Sequence, residues 1–184
     1  ESNWEDLADL RLPSIYALLL AGDLRADDRA EEAVELCARL HADLEESGSY
    51  GQGAWGAWLA ARVEIAHGGA LGDAGRPREA IEVFDSAQLR LEAVENTILE
   101  RKRQERDPRS GVIYDQQLVQ TRALRAQALV GMAVNSNVRL GDPGRALGYF
   151  ERAYELDQSD FMRGLLACYR ARFGAEDEAR ALLR

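Results

Sequence analysis

Histidine is the side chain best suited to proton transfer near neutral pH. It occurs only twice in these 184 residues, at His41 and His67. His41 closes an amphipathic stretch, RAEEAVELCARLH, with Asp43, Glu45 and Glu46 just behind it; His67 directly precedes Gly68 and Gly69. The first is expected on a helix surface and the second at a helix end. No histidine pair stands at ligand spacing and no CxxC occurs, so a metal site is not expected. Neither a GxSxG elbow nor a phosphate-loop motif is present. Asp27–Asp28 and Glu31–Glu32 offer paired carboxylates, but they sit where a helix begins, and negative side chains there offset the exposed N–H groups. Backbone amides of the glycine-rich run HGGALGDAG (His67 to Gly75) could hold an anion. Since no phosphate-loop lysine follows, the run is read as a plain helix stop. Cys37 and Cys168 lie far apart, each in a helical pattern, and are read as buried free thiols rather than a disulfide. That fits a reducing cytoplasm. The expectation is of no catalytic residue, no cofactor and no enzyme.

What positions these side chains is a recurring helical signature. In GDPGRALGYFERAYELDQSD (Gly141 to Asp160), a turn glycine is followed by Ala146, Phe150 and Ala153. This spacing places a small residue, an aromatic and a second small residue on one helix face. GRPREAIEVFDSAQ repeats it with Gly75, Ala80, Phe84 and Ala87, and GAEDEARALL with Gly174, Ala179 and Leu183. A weaker copy carries Ala33, Cys37 and Leu40. Ala146 and Ala179 are 33 residues apart, and Ala80 and Ala146 are 66 apart, close to one and two units of a ~34-residue repeat. The chain thus resembles the tetratricopeptide repeat family of helical repeat proteins. The resemblance implies an all-α solenoid of about four antiparallel helical hairpins. It names an architecture and no particular activity.

Composition agrees. Only four prolines interrupt a chain rich in alanine, leucine, arginine and glutamate. No apolar run approaches the ~18 residues of a membrane span, and the acidic start ESNWEDLADL is unlike a signal peptide. A chain opening on Glu1 is expected to be a processed or excised part of something longer, here forming one repeat domain over 1–184. The net charge of −9 is concentrated: residues 1–50 carry 13 acidic and 4 basic side chains, and the remainder is balanced. That quarter is either a solvated face or a flank that steers a basic partner. Nucleic acid is not an expected partner, because phosphate binding needs a concentrated positive face. The basic run Arg101, Lys102, Arg103, Arg106 and Arg109 reads as a helix C-terminal end.

Eight helices are expected. The first runs from about Asn3 to Leu20 with a break at Pro13, the second from Asp28 to Glu46, and SGSYGQG (Ser47 to Gly53) leads into the third, from Ala54 to Leu71. The fourth and fifth depart from the family. Phe84, Ala87, Leu91, Val94 and Ile98 extend one helix to about Arg106. Val119, Ala123, Ala126, Val130, Ala133 and Leu140 carry a stripe along the next, from about Val112. Each would be ~42 Å long, forming a central hairpin that either projects or packs on its neighbours.

In tetratricopeptide-like proteins the first helix of each hairpin lines a concave groove. The register places Val130, Ala133, Asn137 and Leu140 on the packing face of helix five, and Thr121, Arg125, Ala128, Met132, Asn135 and Arg139 on the groove stripe. Within it Asn135 falls where the family often holds a ligand backbone, and Arg125 and Arg139 could grip a carboxylate. With Arg62 from helix three, the candidate partner-binding set is Arg62, Arg125, Met132, Asn135 and Arg139. The lysine–asparagine clamp of some relatives is missing. The expected function is a protein- or peptide-binding scaffold. The alternatives are a ligand- or peptide-sensing regulatory domain and a self-associating structural module.

Overall fold

The computed structural model describes residues 16–46 and 53–184, and every regular element among them is helical. Helix α1 is described over 16–26. It is followed by α2 (Ala30–Glu46), α3 (Gly53–Asp73), α4 (Pro77–Gln104) and α5 (Pro108–Val134). A π-helical turn, Asn135–Arg139, extends α5 and precedes α6 (Pro143–Leu156), α7 (Asp160–Arg172) and α8 (Glu176–Leu182). The expected start of the first helix at Asn3, its break at Pro13 and the connector as far as Gln52 lie outside the described residues. None of the described helices is long and apolar enough to cross a membrane.

Four of the connections share one backbone device. Asp28, Gly75, Gly141 and Gly174 have φ of 58°, 76°, 67° and 85°, and each stands five residues before a buried alanine: Ala33, Ala80, Ala146 and Ala179. The next N–H returns to the helix just ended, from Arg29 to the Leu24 carbonyl (2.8 Å), Arg76 to Leu71 (2.9 Å) and Ala175 to Arg170 (2.9 Å). A left-handed residue turns the chain sharply enough to cover carbonyls that a helix end leaves unpaired. After Gly141, the Asp142 N–H reaches back one residue further, to Ser136 (2.8 Å), because the π turn adds a residue to the last helical turn. Asp28 is the one non-glycine among the described residues with positive φ. Asp28→Gly is therefore expected to raise stability by about 0.5–1 kcal/mol, by relieving the contact of Cβ with the backbone. Urea denaturation checks this; an unchanged midpoint would mean that the aspartate conformation carries no strain.

Helix α3 is central and packs against α2, α4 and α5. The signature residues Ala80, Phe84, Ala87, Ala146, Phe150 and Ala153 are all buried in one apolar cluster. Leu183, the last member of the third copy, is instead exposed.

Two expectations about local structure need correction. The run HGGALGDAG is not a helix stop at its start: α3 continues through His67, Gly68, Gly69 and Gly72 to Asp73, and only Ala74–Arg76 turn the chain. These glycines serve close approach. A Cβ on Gly68 would lie 3.1 Å from the Phe84 ring, and one on Gly131 of α5 would lie 2.3 Å from Phe84 Cζ, so the ring is held between two bare helix surfaces. The second correction concerns α5. Val119 and Ala123 of its expected apolar stripe are exposed, Leu140 is also exposed and Asn137 only half-buried. Buried instead are Leu118, Thr121, Ala128, Leu129 and Met132. With neighbours on several sides, α5 has no single buried stripe for the pattern to report.

The long helices α4 and α5 comprise 28 and 27 residues. Their outer halves pack on the rest of the fold: Val94, Ile98 and Leu118 form an apolar cluster against Ala54, Ala57 and Trp58 of α3.

Candidate functional site

Helices α1, α3 and α5 border a groove made of two recesses, of about 210 and 240 Å³, that share Arg25, Ile65 and Gln127 in their walls. The glycines of α3 create its depth. A Cβ on Gly69 would come within 2.5 Å of the Arg25 guanidinium, and one on Gly72 within 2.8 Å of Asn135 Oδ1. Without side chains there, polar groups from α1 and the π turn lie directly over the α3 backbone.

The larger recess has a charged rim. Arg25 Nε donates to Asp73 Oδ2 at 2.7 Å, and Arg139 Nη2 donates to Asp73 Oδ1 at 2.9 Å, so one carboxylate links α1 to the π turn. Beneath it, Asn135 is buried, with 4% of its surface exposed. Its Nδ2 donates to the Gly131 carbonyl at 2.8 Å, which fixes the orientation of the amide. Its Oδ1 accepts no hydrogen bond among the described residues. A buried amide oxygen without a donor is a costly arrangement. The π turn begins at this residue, and such turns recur where a helix is adapted to a site. The other recess carries Arg62, whose guanidinium lies 5.0 Å from the Trp58 ring centroid; Trp58 in turn stacks on Trp55 at 5.1 Å.

The five residues expected to bind a partner do not form one surface. Arg62, Asn135 and Arg139 line the groove. Arg125 does not: it faces α4, where Nη1 donates to Glu95 Oε2 at 2.6 Å and the backbone carbonyl accepts from Gln88 Nε2. Met132 is part of the apolar core. Both departures follow from the extra burial of α5, which takes the middle of the expected stripe inside. Sequence reasoning missed Arg25, Asp73 and Gln127. The first two sit at the end of α1 and of α3, and only their approach across 48 residues makes them a unit.

Arg125 belongs to a part-buried ionic network. Arg122 Nε also donates to Glu95, at 2.7 Å, and although burial pushes the Glu95 carboxyl up, these two arginine hydrogen bonds hold it below its ordinary value.

On another face, a recess of about 410 Å³ between α2, α3 and α4 is lined by His41, Glu45, Glu64, His67, Glu82 and Ser86, among others. His67 stands inside α3 rather than at a helix end, and burial, with His41 and Arg76 adding to it, lowers its pKa. His41 is half-buried, 3.7 Å from Glu45 and 3.8 Å from Glu64. Glu64 is itself buried and accepts from Ser86 Oγ at 3.0 Å and from the Arg90 guanidinium at 3.0 and 3.2 Å. These contacts join α2, α3 and α4 and account for the burial of the charge. Cys37 is buried, which pushes its thiol up to about 11, whereas Cys168 is exposed, against the expectation that both are buried.

Compared with protein-family models and with curated proteins, the chain matches none.

Proposed function

We propose that the chain is a protein- or peptide-binding scaffold: a tetratricopeptide-like solenoid whose groove along α1, α3 and α5 takes an extended segment of a partner. The repeat reading is supported by the four positive-φ turns at a constant distance from a buried alanine. Antiparallel pairing of α4 with α5 is supported by Lys102–Asp115, Glu95–Arg122 and Gln88–Arg125, whose members move in opposite directions along the two helices. The observation that carries the function is Asn135. Its amide is already half used on Gly131, and its oxygen, buried in the groove wall over the bare Gly72 backbone, meets no donor among the described residues. An extended peptide presents such donors on its backbone.

The test begins with a partner recovered from native lysate and titrated against purified variants. Asn135→Ala and Arg62→Ala are each expected to weaken binding while the melting temperature holds, because neither residue supplies the apolar core. Equal affinity for wild type and both variants would place the interaction elsewhere.

A second reading, a self-associating module, is favoured by Val112, Ile113 and Val119, which are exposed apolar residues in the first half of α5. Light scattering after size exclusion would show a dimer that Val119→Lys disperses.

A further inference from the structure

Among the described residues the groove contains one acidic side chain, and it sits between two arginines. Asp73 is the sole carboxylate among the described residues in the walls of either recess, against Arg25, Arg62 and Arg139. It uses both oxygens, one on Arg25 and one on Arg139, in the two-point manner by which guanidinium groups hold a carboxylate. Its surroundings are open: about 37% of the side chain is exposed, as is 37% of Arg25 and 27% of Arg139. Glu95 and Glu64, the carboxylates that tie α3, α4 and α5 together, are by contrast almost fully enclosed. Asp73 therefore has the solvent access to leave its arginines, and the buried pairs do not. The same recess is lined by Asn135, whose oxygen has no partner among the described residues.

We propose that Asp73 is a built-in competitor that holds Arg25 and Arg139 until an acidic peptide segment displaces it. This rests on the groove being the binding surface. The partner segment would place a Glu or Asp carboxylate on the two arginines and a backbone N–H on Asn135 Oδ1. Three arginines against one aspartate, among the described lining residues, give the groove a positive balance in a chain of net charge −9. That contrast selects acidic segments over neutral or basic ones, and Asp73 sets the threshold of negative charge a segment must carry.

The experiment uses three fluorescein-labelled peptides with amidated ends: an alternating Glu-Ser octapeptide, its Gln-for-Glu counterpart and its Lys-for-Glu counterpart. Each is titrated by anisotropy, at low ionic strength, against the whole chain and its variants. The acidic peptide is expected to bind wild type more tightly than the other two. Asp73→Asn is expected to tighten it roughly three- to tenfold, since the arginines no longer exchange one carboxylate for another. Arg139→Gln should weaken it in both backgrounds, with melting temperatures confirming that each variant folds. If Asp73→Asn leaves the acidic peptide's affinity unchanged or lower, the competitor role is overturned while the groove reading stands. Equal affinity for the Glu and Gln peptides would overturn the proposal, since no ligand carboxylate would then be displacing Asp73, while the groove reading stands. Should Asn135→Ala and Arg139→Gln both leave binding intact, the groove reading fails together with the proposal.

Discussion

Truncating Phe84 to alanine is expected to cost about 3–5 kcal/mol. The ring is buried between Gly68 of α3 and Gly131 of α5, so its loss opens a void bounded by two helix backbones that cannot collapse into it. Gly131→Ala should also destabilise, because its Cβ would lie 2.3 Å from Phe84 Cζ and the ring has Gly68 behind it. The diagnostic result is the double variant. Combined with Phe84→Ala, the Gly131→Ala methyl enters the vacated space, and alanine favours the helix more than glycine does. Phe84→Ala/Gly131→Ala is thus expected to be clearly more stable than the sum of the two single losses. Denaturant titration of the four proteins measures the coupling. Additive losses would show that the ring does not separate the two helices.

Glu95→Ala is the second large effect, expected at about 1–3 kcal/mol, because it removes the carboxylate 2.6 Å from Arg125 and leaves that enclosed guanidinium only Glu92, 3.7 Å away, as an acidic neighbour. The sign of the pH dependence follows from the same contact. Arginine hydrogen bonds hold the folded carboxyl below its ordinary value near 4.5, so the unfolded chain takes up a proton first as the pH falls. The stabilisation is fully present above that ordinary value and disappears as the pH drops through the lower, folded one. Wild type should accordingly lose stability on acidification more steeply than Glu95→Gln, and thermal melts from pH 6 to pH 3 compare the slopes. Parallel slopes would remove Glu95 from the acid response.

Much of the fold is legible in the residues. Helical periodicity placed α4, and α5 together with its π turn, to within about four residues of their ends, and the alanine–aromatic–alanine spacing identified the faces that are buried on α4 and α6. The candidate site was legible only in part. Arg62, Asn135 and Arg139 reach the groove, while Arg125 and Met132 of the same stripe are taken up by neighbours. A helix that packs on more than one side mixes the signals of its faces, so no single period in α5 separates the core from the groove.

Local chemistry is what the sequence determined by itself. Proline at the first turn of α4, α5 and α6 starts those helices, and glycine at positive φ ends those before α4, α6 and α8. Each effect acts within a few residues and needs no distant partner. Only the tertiary structure decided the long-range matters: that Gly68 and Gly131 hold an aromatic ring rather than a turn, that Asp73 joins Arg25 to Arg139, and that the Asn135 oxygen is buried without a donor among the described residues. Glycine carries the same codon of freedom whether it turns a chain or makes room for a neighbour. A carboxylate, likewise, has no intrinsic preference among arginines 48 or 66 residues away. Which of them it meets depends on how closely the helices approach, and the packing of side chains between them sets that distance.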